Sequence, residues 1–236
     1  MGRHVLVIGG QGGIGRALID MLLEDESVET IHATWHRRSP DPLDGVTWSK
    51  LDVTDEDSIA ALAERLERVD WLINVVGWLH DEDRGPEKHS RQVTREAFLD
   101  AMEINALPSL FLAKHFRRHI KHSDAGVLAT VSARLGSIGE NRIGGWYSYR
   151  ASKAALNMAL ATLAVEWRRE LPSASVAALH PGTTDTALSQ PFQARVPTGQ
   201  LFSPARTADY LLTVIRGLTP EKSGRFWSFD GEELSW

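Results

Sequence analysis

Tyr149 and Lys153 stand four residues apart at the start of an apolar, alanine-rich segment. In a helix, side chains at that spacing lie on one face, one above the other. A cation beside a phenol favours the phenolate and lowers a tyrosine pKa that is ordinarily about 10. The pair therefore has the chemistry of a proton donor and acceptor for a carbonyl or alcohol oxygen. Because Tyr and Lys meet at this spacing in many helices, the assignment depends on the rest of the chain.

The composition narrows the classes of function. The chain has 236 residues, of which 42% are hydrophobic, and this is enough to bury a substantial core. Its formal net charge is -5, with acidic and basic residues mixed along the chain, so we expect neither a nucleic-acid nor a membrane partner. It has no cysteine, which excludes disulfides and thiolate sites. The apolar run at residues 5–8 is too short for a signal-peptide core or a membrane span, so we expect a cytoplasmic protein.

Short apolar segments alternate with segments of helical periodicity. Strands are predicted at residues 5–8, 29–33, 46–51, 71–76, 126–131, 175–179 and 225–229. Helices are predicted at residues 16–23, 54–68, 94–122, 149–171 and 204–216, with Thr54 and Ser203 as caps and an interruption at Pro108. This alternation predicts an α/β fold: a Rossmann-type doubly wound parallel sheet of about seven strands with helices on both faces. Residues 1–236 are predicted to form one domain.

A glycine-rich turn joins the first predicted strand to the first helix. Gly9, Gly13 and Gly15 stand in it, with Ile14 between the last two. At the end of a buried strand, such a turn lets backbone N–H groups and the helix dipole receive a pyrophosphate. The spacing differs from the commoner G-x-G-x-x-G. A dinucleotide site is the favoured interpretation, and a plain tight turn is the alternative.

Taken together, the motifs resemble the classical short-chain dehydrogenase/reductase family over essentially the whole chain. The matching motifs are Gly9-x-x-x-Gly13-Ile14-Gly15, Asn74-x-x-Gly77, Asn105, Tyr149-x-x-x-Lys153 and Pro181-Gly182. Residues 144–153 and 179–186 are most similar to the C-factor-like branch of that family. The resemblance implies an oxidoreductase that moves hydride between a nicotinamide and a carbonyl or alcohol carbon. It also implies a homodimer or homotetramer, in keeping with a Tyr149 helix that is apolar beyond one face.

The resemblance implies a role for each matching residue. Tyr149 would exchange a proton with the substrate oxygen, while Lys153 would lower its pKa and bind the nicotinamide ribose. Asn105 would help hold a water that links Lys153 to solvent, and it could equally satisfy carbonyls freed at the Pro108 kink. The remaining implied cofactor contacts are Asp52 and Val53 at the adenine, Asn74 and Gly77 beside the central sheet, and Pro181, Gly182 and Thr186 near the nicotinamide. Asp52 could instead simply begin a turn.

The choice of cofactor depends on the end of the second strand. An NAD site has an acidic residue there for the ribose 2′-hydroxyl, and an NADP site has an arginine for the 2′-phosphate. Residues 32–38 read His-Ala-Thr-Trp-His-Arg-Arg, which favours NADP with Arg37 as a ligand. Gly12 occupies a place where NADP-preferring relatives often carry a basic residue, so NAD is the alternative. A solvated loop would also explain the two arginines.

The chain departs from the family at the catalytic serine. Relatives usually have Ser-Ser-x-x-Gly at the end of the fifth strand, and the second serine binds the carbonyl oxygen. Here the sequence is Ser132-Ala133-Arg134-Leu135-Gly136-Ser137, which puts Ala133 in that position. Ser132 is the preferred substitute, and the alternatives are Ser137 or an enzyme that works without this serine.

No metal site is predicted. His115 and His119 have helical i, i+4 spacing, but no Glu follows His115 and the residues between them include two arginines. A surface helix face explains them better than zinc does. Residues 80–83 are predicted to form a solvated loop near the substrate entrance.

The substrate is predicted only by class. Residues 188–202 are expected to cover the pocket, and they carry enough apolar side chains for a hydrophobic or aromatic carbonyl, namely Phe192, Val196, Leu201 and Phe202. The competing hypothesis is a dinucleotide-binding signalling or regulatory protein whose chemistry is vestigial, which the C-factor-like resemblance and the missing second serine suggest.

Overall fold

The computed structural model describes residues 2–121 and 123–236. Its strands are β1 (Arg3–Ile8), β2 (Val28–Trp35), β3 (Val46–Lys50), β4 (Trp71–Asn74), β5 (Val127–Val131), β6 (Ser175–His180), β7 (Thr183–Thr184), β8 (Leu201–Phe202) and β9 (Arg225–Ser228). Seven of them form one sheet in the order β3-β2-β1-β4-β5-β6-β9, and every neighbouring pair is parallel. The predicted seven-stranded parallel sheet is therefore confirmed.

Within residues 2–121 and 123–236, six α-helices connect the strands. They are α1 (Gly13–Leu23), α2 (Glu56–Arg65), α3 (Arg95–Asn105), α4 (Leu107–Lys121), α5 (Tyr147–Glu170) and α6 (Pro204–Arg216). None of them, in the part of the chain that the structure describes, is long and apolar enough to cross a membrane. The predicted cap at Ser203 is present, since its side chain accepts the N–H of Arg206.

Both ends of α2 differ from the sequence prediction. The cap of α2 is Asp55, not Thr54, because Thr54 donates its N–H and hydroxyl to Asp52 instead. The chain also turns extended at Leu66, which ends α2 before the predicted residue 68. The interruption near Pro108 separates α3 from α4, since proline has no N–H for the carbonyl four residues before it. His122, the predicted end of that segment, lies outside the described residues.

Hydrophobic cores lie on both faces of the sheet. Neighbouring strand residues point to opposite faces, so Leu6 and Ile8 join one core while Val5 and Val7 join the other. Helices α2, α4 and α5 cover the first face, and α1 and α6 cover the second. A strand covered on both faces needs apolar residues at consecutive positions, and this explains the short continuous apolar runs in the sequence.

The topology brings the glycine turn after β1 and the motifs after β4 and β6 to one edge of the sheet. The connections from β1 and from β4 diverge in opposite directions, so the strand order reverses between these two neighbours. In a parallel sheet, ligands bind at the carboxyl ends of the strands at such a point. A small second sheet, β7 paired with β8, was not predicted, and it ties residue 202 back to the segment that follows β6.

Candidate active site

The glycine turn after β1 is shaped by close backbone contacts. Gly9 has a φ of +85°, and the N–H of Gly12 donates to its carbonyl at 3.0 Å. A Cβ on Gly15 would lie 2.3 Å from the Gly9 oxygen, and one on Gly13 would lie 2.8 Å from Cγ2 of Thr186. No side chain caps the N-terminus of α1, and the turn lines a cleft. The turn therefore leaves helix N–H groups open to an anion, as a pyrophosphate requires.

Lys153 is buried on α5, one turn after Tyr149. It is 2% exposed, its Nζ donates to the carbonyl of Val131 at 3.0 Å, and Nζ lies 5.8 Å from the centroid of the Tyr149 ring. Burial lowers the pKa of Lys153 to about 8. Burial also raises the pKa of Tyr149 above its ordinary value, opposite to the direction expected from the sequence. The loss of hydration raises the pKa of the phenol by more than the Lys153 ammonium lowers it. That ammonium is hydrogen-bonded to the carbonyl of Val131 instead.

Two asparagines brace the elements around this pair. Asn105 accepts the N–H of Trp78 at 2.7 Å and donates to the Trp78 carbonyl and to Ser152 Oγ. Asn74 accepts the N–H of Val76 and donates to Ser109. Both side chains are therefore occupied by structural bonds, and both are buried.

Two predicted site residues, Lys153 and Asn105, lie close to Gly77. A Cβ on Gly77 would lie 3.6 Å from Lys153 Nζ and 3.7 Å from Asn105 Oδ1. The ammonium and the carboxamide thus flank the same backbone position at the end of β4. A larger residue at this position would have to fit between them.

Neither candidate serine is free in this arrangement. Ser132 Oγ donates to Asn157 Oδ1 at 2.6 Å, and Ser137 Oγ accepts the N–H of Glu140 at 3.2 Å. Both serines are buried, but only Ser132 lines the cleft. A hydroxyl has one proton to donate, so Ser132 cannot donate to a substrate oxygen while it donates to Asn157.

The candidate site is a cleft of about 720 Å³ lined by residues that follow β1, β4, β5 and β6. The predicted site residues in its lining are Gly13, Ile14, Gly15, Gly77, Ser132, Tyr149, Lys153, Pro181, Gly182 and Thr186. Gly182 has a φ of +72°, and a Cβ there would lie 2.5 Å from the Phe202 ring. Gly9, Asn74 and Asn105 lie outside the lining. So do Arg37, Asp52 and Val53, which follow β2 and β3.

Comparison with known proteins identifies the family. The short chain dehydrogenase family matches residues 3–196. The chain belongs to the short-chain dehydrogenase family. As a member, it is an NAD(P)-dependent oxidoreductase, and the predicted family is confirmed.

Individual short-chain dehydrogenases resemble this one over different lengths. The 1-hydroxy-2-glutathionyl-2-methyl-3-butene dehydrogenase of Rhodococcus sp. is 32% identical and covers 98% of this chain and 99% of its own. The C-signal protein of Myxococcus xanthus is 36% identical over 56% of this chain and 75% of its own, in agreement with the C-factor-like resemblance. Carbonyl reductase from chicken fatty liver, with bound NADPH, is 25% identical, has a TM-score of 0.86, and covers 100% of this chain and 94% of its own.

A buried carboxylate holds the start of α5 in this short-chain dehydrogenase. Glu87, from the loop after β4, accepts the N–H and the hydroxyl of Ser148, and its backbone carbonyl accepts the N–H of Trp146. Trp146 itself has a left-handed φ of +54° and provides no side-chain cap. Glu87 therefore caps the helix that carries Tyr149. The helix dipole favours a negative charge at this N-terminus. Sequence reasoning missed it, because nothing local separates Glu87 from the other acids of its polar loop.

The segment that covers the cleft is aromatic. Phe192 lies 4.8 Å from the Trp146 ring and 5.6 Å from the His80 ring, centroid to centroid. His80 also bonds the carbonyl of Leu188 through Nε2. The predicted loop at residues 80–83 thus contacts the predicted cover at residues 188–202 through His80.

The ends of β2 and β3 form a separate polar group. Asp52 accepts the N–H and hydroxyl of Thr54, and its other oxygen lies 3.4 Å from Nε2 of His36. Hydrogen bonds from Thr54 hold the pKa of the Asp52 carboxyl below its ordinary value. Arg37 is exposed beside this group.

The two helix histidines have unrelated environments. His115 bonds Glu56 at 2.8 Å, whereas His119 is buried and bonds the carbonyl of Leu66 at 2.7 Å. Burial lowers the pKa of His119. Only His115 therefore belongs to a surface face, and the expected surface position of His119 is wrong.

Proposed function

We propose that the chain is an NADP(H)-dependent carbonyl reductase in which Tyr149 is the general acid and base. The observation that carries the proposal is that Tyr149 and the buried Lys153 line the same cleft as the glycine turn. When bound, NADPH supplies the hydride, and NADP⁺ accepts it in the reverse reaction. The relatives include an NADPH-bound carbonyl reductase and a dehydrogenase named for a hydroxy compound. These names support hydride transfer in both the reductive and the oxidative direction.

The proposed cofactor contacts form three groups of residues, each following different strands of the sheet. The glycine turn receives the pyrophosphate, the residues after β2 and β3 receive the adenosine end, and those after β4 and β6 receive the nicotinamide end. The residues are Gly9, Gly13, Ile14 and Gly15 in the first group; Arg37, Asp52 and Val53 in the second; and Asn74, Gly77, Lys153, Pro181, Gly182 and Thr186 in the third. One NAD(P)-binding domain over residues 1–236 accommodates them all.

The raised pKa of Tyr149 suits a proton donor for the reductive direction. A phenol that stays protonated at neutral pH can give its proton to the oxygen of a carbonyl as hydride reaches the carbon. Lys153, with a pKa of about 8, is close enough to neutrality to return that proton. In the oxidative direction the same phenol must lose its proton, and the positive charge of Lys153 favours that step. Asn105, whose Oδ1 lies near Gly77 as Lys153 Nζ does, is proposed to help hold a water that links the lysine to solvent.

Ser132 is the proposed second hydrogen-bond donor to the substrate oxygen. The Nδ2 group of Asn157 is buried and has no hydrogen-bond partner among the described residues. A half-turn of the Asn157 carboxamide would let Nδ2 donate to Ser132 Oγ, and this would free the serine proton for the substrate. The same rotation removes an unsatisfied buried donor, so Asn157 is a positioning residue for Ser132.

We expect Ser132→Ala and Asn157→Asp each to lower kcat by about 10- to 100-fold, the value of a hydrogen bond to a developing charge. The aspartate retains the acceptor for the serine proton but has no amide donor. Both variants remove the same hydrogen bond, which Ser132 would donate to the substrate oxygen. The double variant should therefore lose little more kcat than either single variant. Steady-state kinetics check this result, with thermal melting of each variant as a control for folding. A loss of kcat in Ser137→Ala, with Ser132→Ala unaffected, would assign the role to Ser137.

NADP is the proposed cofactor because of Arg37. Its guanidinium is exposed just after β2, and none of the described residues pairs with it. The chicken carbonyl reductase structure holds NADPH, which supports the same choice. An arginine forms charge-assisted, bidentate bonds to phosphate, and NADP carries a ribose 2′-phosphate that NAD lacks.

We expect Arg37→Ala to raise the Kd for NADPH by about 10- to 100-fold and to leave the Kd for NADH nearly unchanged. Fluorescence titration of both nucleotides measures the two constants. Arg95→Ala is the matched control, since it removes one exposed arginine on α3. Equal weakening of NADPH and NADH would show that Arg37 does not contact the 2′-phosphate.

The substrate is a small carbonyl or alcohol compound in this proposal, and the protein is a cytoplasmic homodimer or homotetramer. Exposed apolar side chains on α4 and α5 support an interface, with Met158 69% exposed and Val165 57% exposed. NADPH oxidation with a panel of aldehydes, ketones and quinones tests the function. NADPH binding without turnover of any of them would support the competing signalling role, which the similarity to C-signal and the missing second serine favour.

A further inference from the structure

The wall of the cleft between β5 and the first turn of α5 is positively charged, although the chain as a whole carries a net charge of -5. The charged side chains that line the cleft between residues 134 and 150 are Arg134, Glu140, Arg142 and Arg150. Three arginines against one glutamate leave a formal excess of two positive charges. This wall also carries the apolar side chains of Leu135, Ile143 and Trp146.

Arg150 is fixed by backbone carbonyls. Its Nε donates to Gly145, Nη2 donates to Gly144 at 3.3 Å, and Nη1 donates to Leu135 at 3.4 Å. These contacts use three of the five N–H groups of a guanidinium, and none of the three acceptors is charged. Arg150 therefore holds the two left-handed glycines of the wall in place and retains its full positive charge.

Arg142 is the free cation of the wall. It is exposed at the cleft, and within residues 2–121 and 123–236 no carboxylate is recorded as pairing with it. Arg134 differs, because its Nε lies 3.4 Å from Glu140 Oε2. The single acid of the wall is thus occupied by Arg134, and the excess charge is located on Arg142 and Arg150.

Apolar surface adjoins this charge. Ile143, the neighbour of Arg142, is 91% exposed at the cleft, and Trp146 packs on Phe192 at 4.8 Å. Ile143, Trp146 and Phe192 therefore give the cleft apolar surface on the side that also carries Arg142. The combination fits a ligand with an apolar body and an anionic end.

We propose that this wall binds a carboxylate on the substrate, so that the enzyme acts on aromatic or aliphatic carbonyl compounds that carry a carboxylate. Arg142 would pair with the carboxylate, Arg150 would contribute its positive charge, and the apolar body would lie on Ile143, Trp146 and Phe192. The inference rests on the proposed function, since it names the substrate class of that site. The pyrophosphate of the cofactor has its own receptor in the glycine turn, on the connection from β1 to α1.

The test compares acids with their uncharged counterparts. The substrates are 4-carboxybenzaldehyde and 4-formylphenoxyacetic acid, each measured beside its methyl ester with saturating NADPH. We expect kcat/KM to be about tenfold higher for each acid, as a hydrogen-bonded charge pair provides. Arg142→Gln should reduce the ratio of acid to ester toward one and leave the KM for NADPH unchanged. Arg91→Gln, which removes one exposed arginine outside the cleft, should leave the ratio as in the wild type.

A binding measurement separates this inference from the proposed function. Calorimetry with the NADP complex compares benzoate with benzamide, neither of which reacts. Turnover of acid and ester at equal kcat/KM, with equal binding of the two analogues, would overturn the carboxylate site and leave the reductase intact. Preferred binding of benzoate without turnover of any aldehyde would overturn the reductase and support the carboxylate site. A higher KM for NADPH in Arg142→Gln would assign this arginine to the cofactor instead.

Discussion

Tyr149→Phe is expected to lower kcat by about 10²- to 10⁴-fold, while the Kd for NADPH stays close to that of the wild type. Phenylalanine keeps the ring that packs edge-on against Trp146 at 6.2 Å, but it has no proton to give. Because only the proton transfer is removed, the loss should fall on kcat and not on nucleotide binding. NADPH oxidation with an aldehyde substrate measures the first quantity, and fluorescence titration measures the second.

Tyr147→Phe is the matched control for this prediction. Tyr147 stands two residues before Tyr149 on α5 and is 42% exposed. It loses the same hydroxyl, and we expect it to retain wild-type kcat. If Tyr149→Phe kept full activity, or if both variants lost activity equally, Tyr149 would not be the acid and base.

Lys153→Met is expected to have opposite effects on activity and stability. Activity should fall by about 100-fold or more, because the phenol loses its proton relay. Stability should rise, because a lysine that is 2% exposed and has its pKa lowered from 10.5 to about 8 is costly to bury in its charged form. The shift corresponds to a cost on the order of 3 kcal/mol, which the methionine does not bear.

The pH dependence of that stability difference follows from the two pKa values. Below about pH 8 both the folded and the unfolded chain hold the Lys153 proton, so the folded protein bears the full cost. Between about 8 and 10.5 the folded protein releases the proton and the unfolded chain keeps it, so the cost is relieved as the pH rises. The advantage of Lys153→Met should therefore be largest near neutral pH and decline in alkali.

Urea unfolding of wild type and variant at several pH values measures this difference. Lys114→Met is the control, because Lys114 is 65% exposed and its pairing with Glu56 contributes little to stability. An advantage of Lys153→Met that stays constant from pH 7 to pH 10 would mean that the buried ammonium is not its cause.

Much of the fold followed from local patterns. The seven strands of the sheet were predicted because strands covered on both faces need consecutive apolar residues, as at residues 5–8. The break between α3 and α4 was predicted because proline lacks an N–H. The cap of α2 was placed one residue too early, since Thr54 and Asp55 are both good caps and only the contact of Thr54 with Asp52 distinguishes them. The β7 and β8 pair was missed because each strand has only two residues.

Parts of the candidate site were outside the reach of any local pattern. Glu87 and Ser148 are 61 residues apart, and Ser132 and Asn157 are 25 residues apart. Glu87 therefore reaches Ser148, and Asn157 reaches Ser132, only when the sheet and its helices have packed. The three-arginine wall is similar, since the excess charge falls on Arg142 and Arg150 only because Glu140 is paired with Arg134.

By itself, the sequence determined what depends on adjacent residues. Tyr149 and Lys153 share a helix face because i, i+4 spacing is local, and the glycine turn between β1 and α1 was predicted from its own residues. Only the tertiary structure decided the pKa values of the pair. Sequence spacing predicted that the ammonium would lower the pKa of the phenol, whereas burial raises it and lowers the pKa of Lys153 as well. The physical reason is that hydration is lost when distant elements pack over a side chain, and no spacing along the chain records that loss.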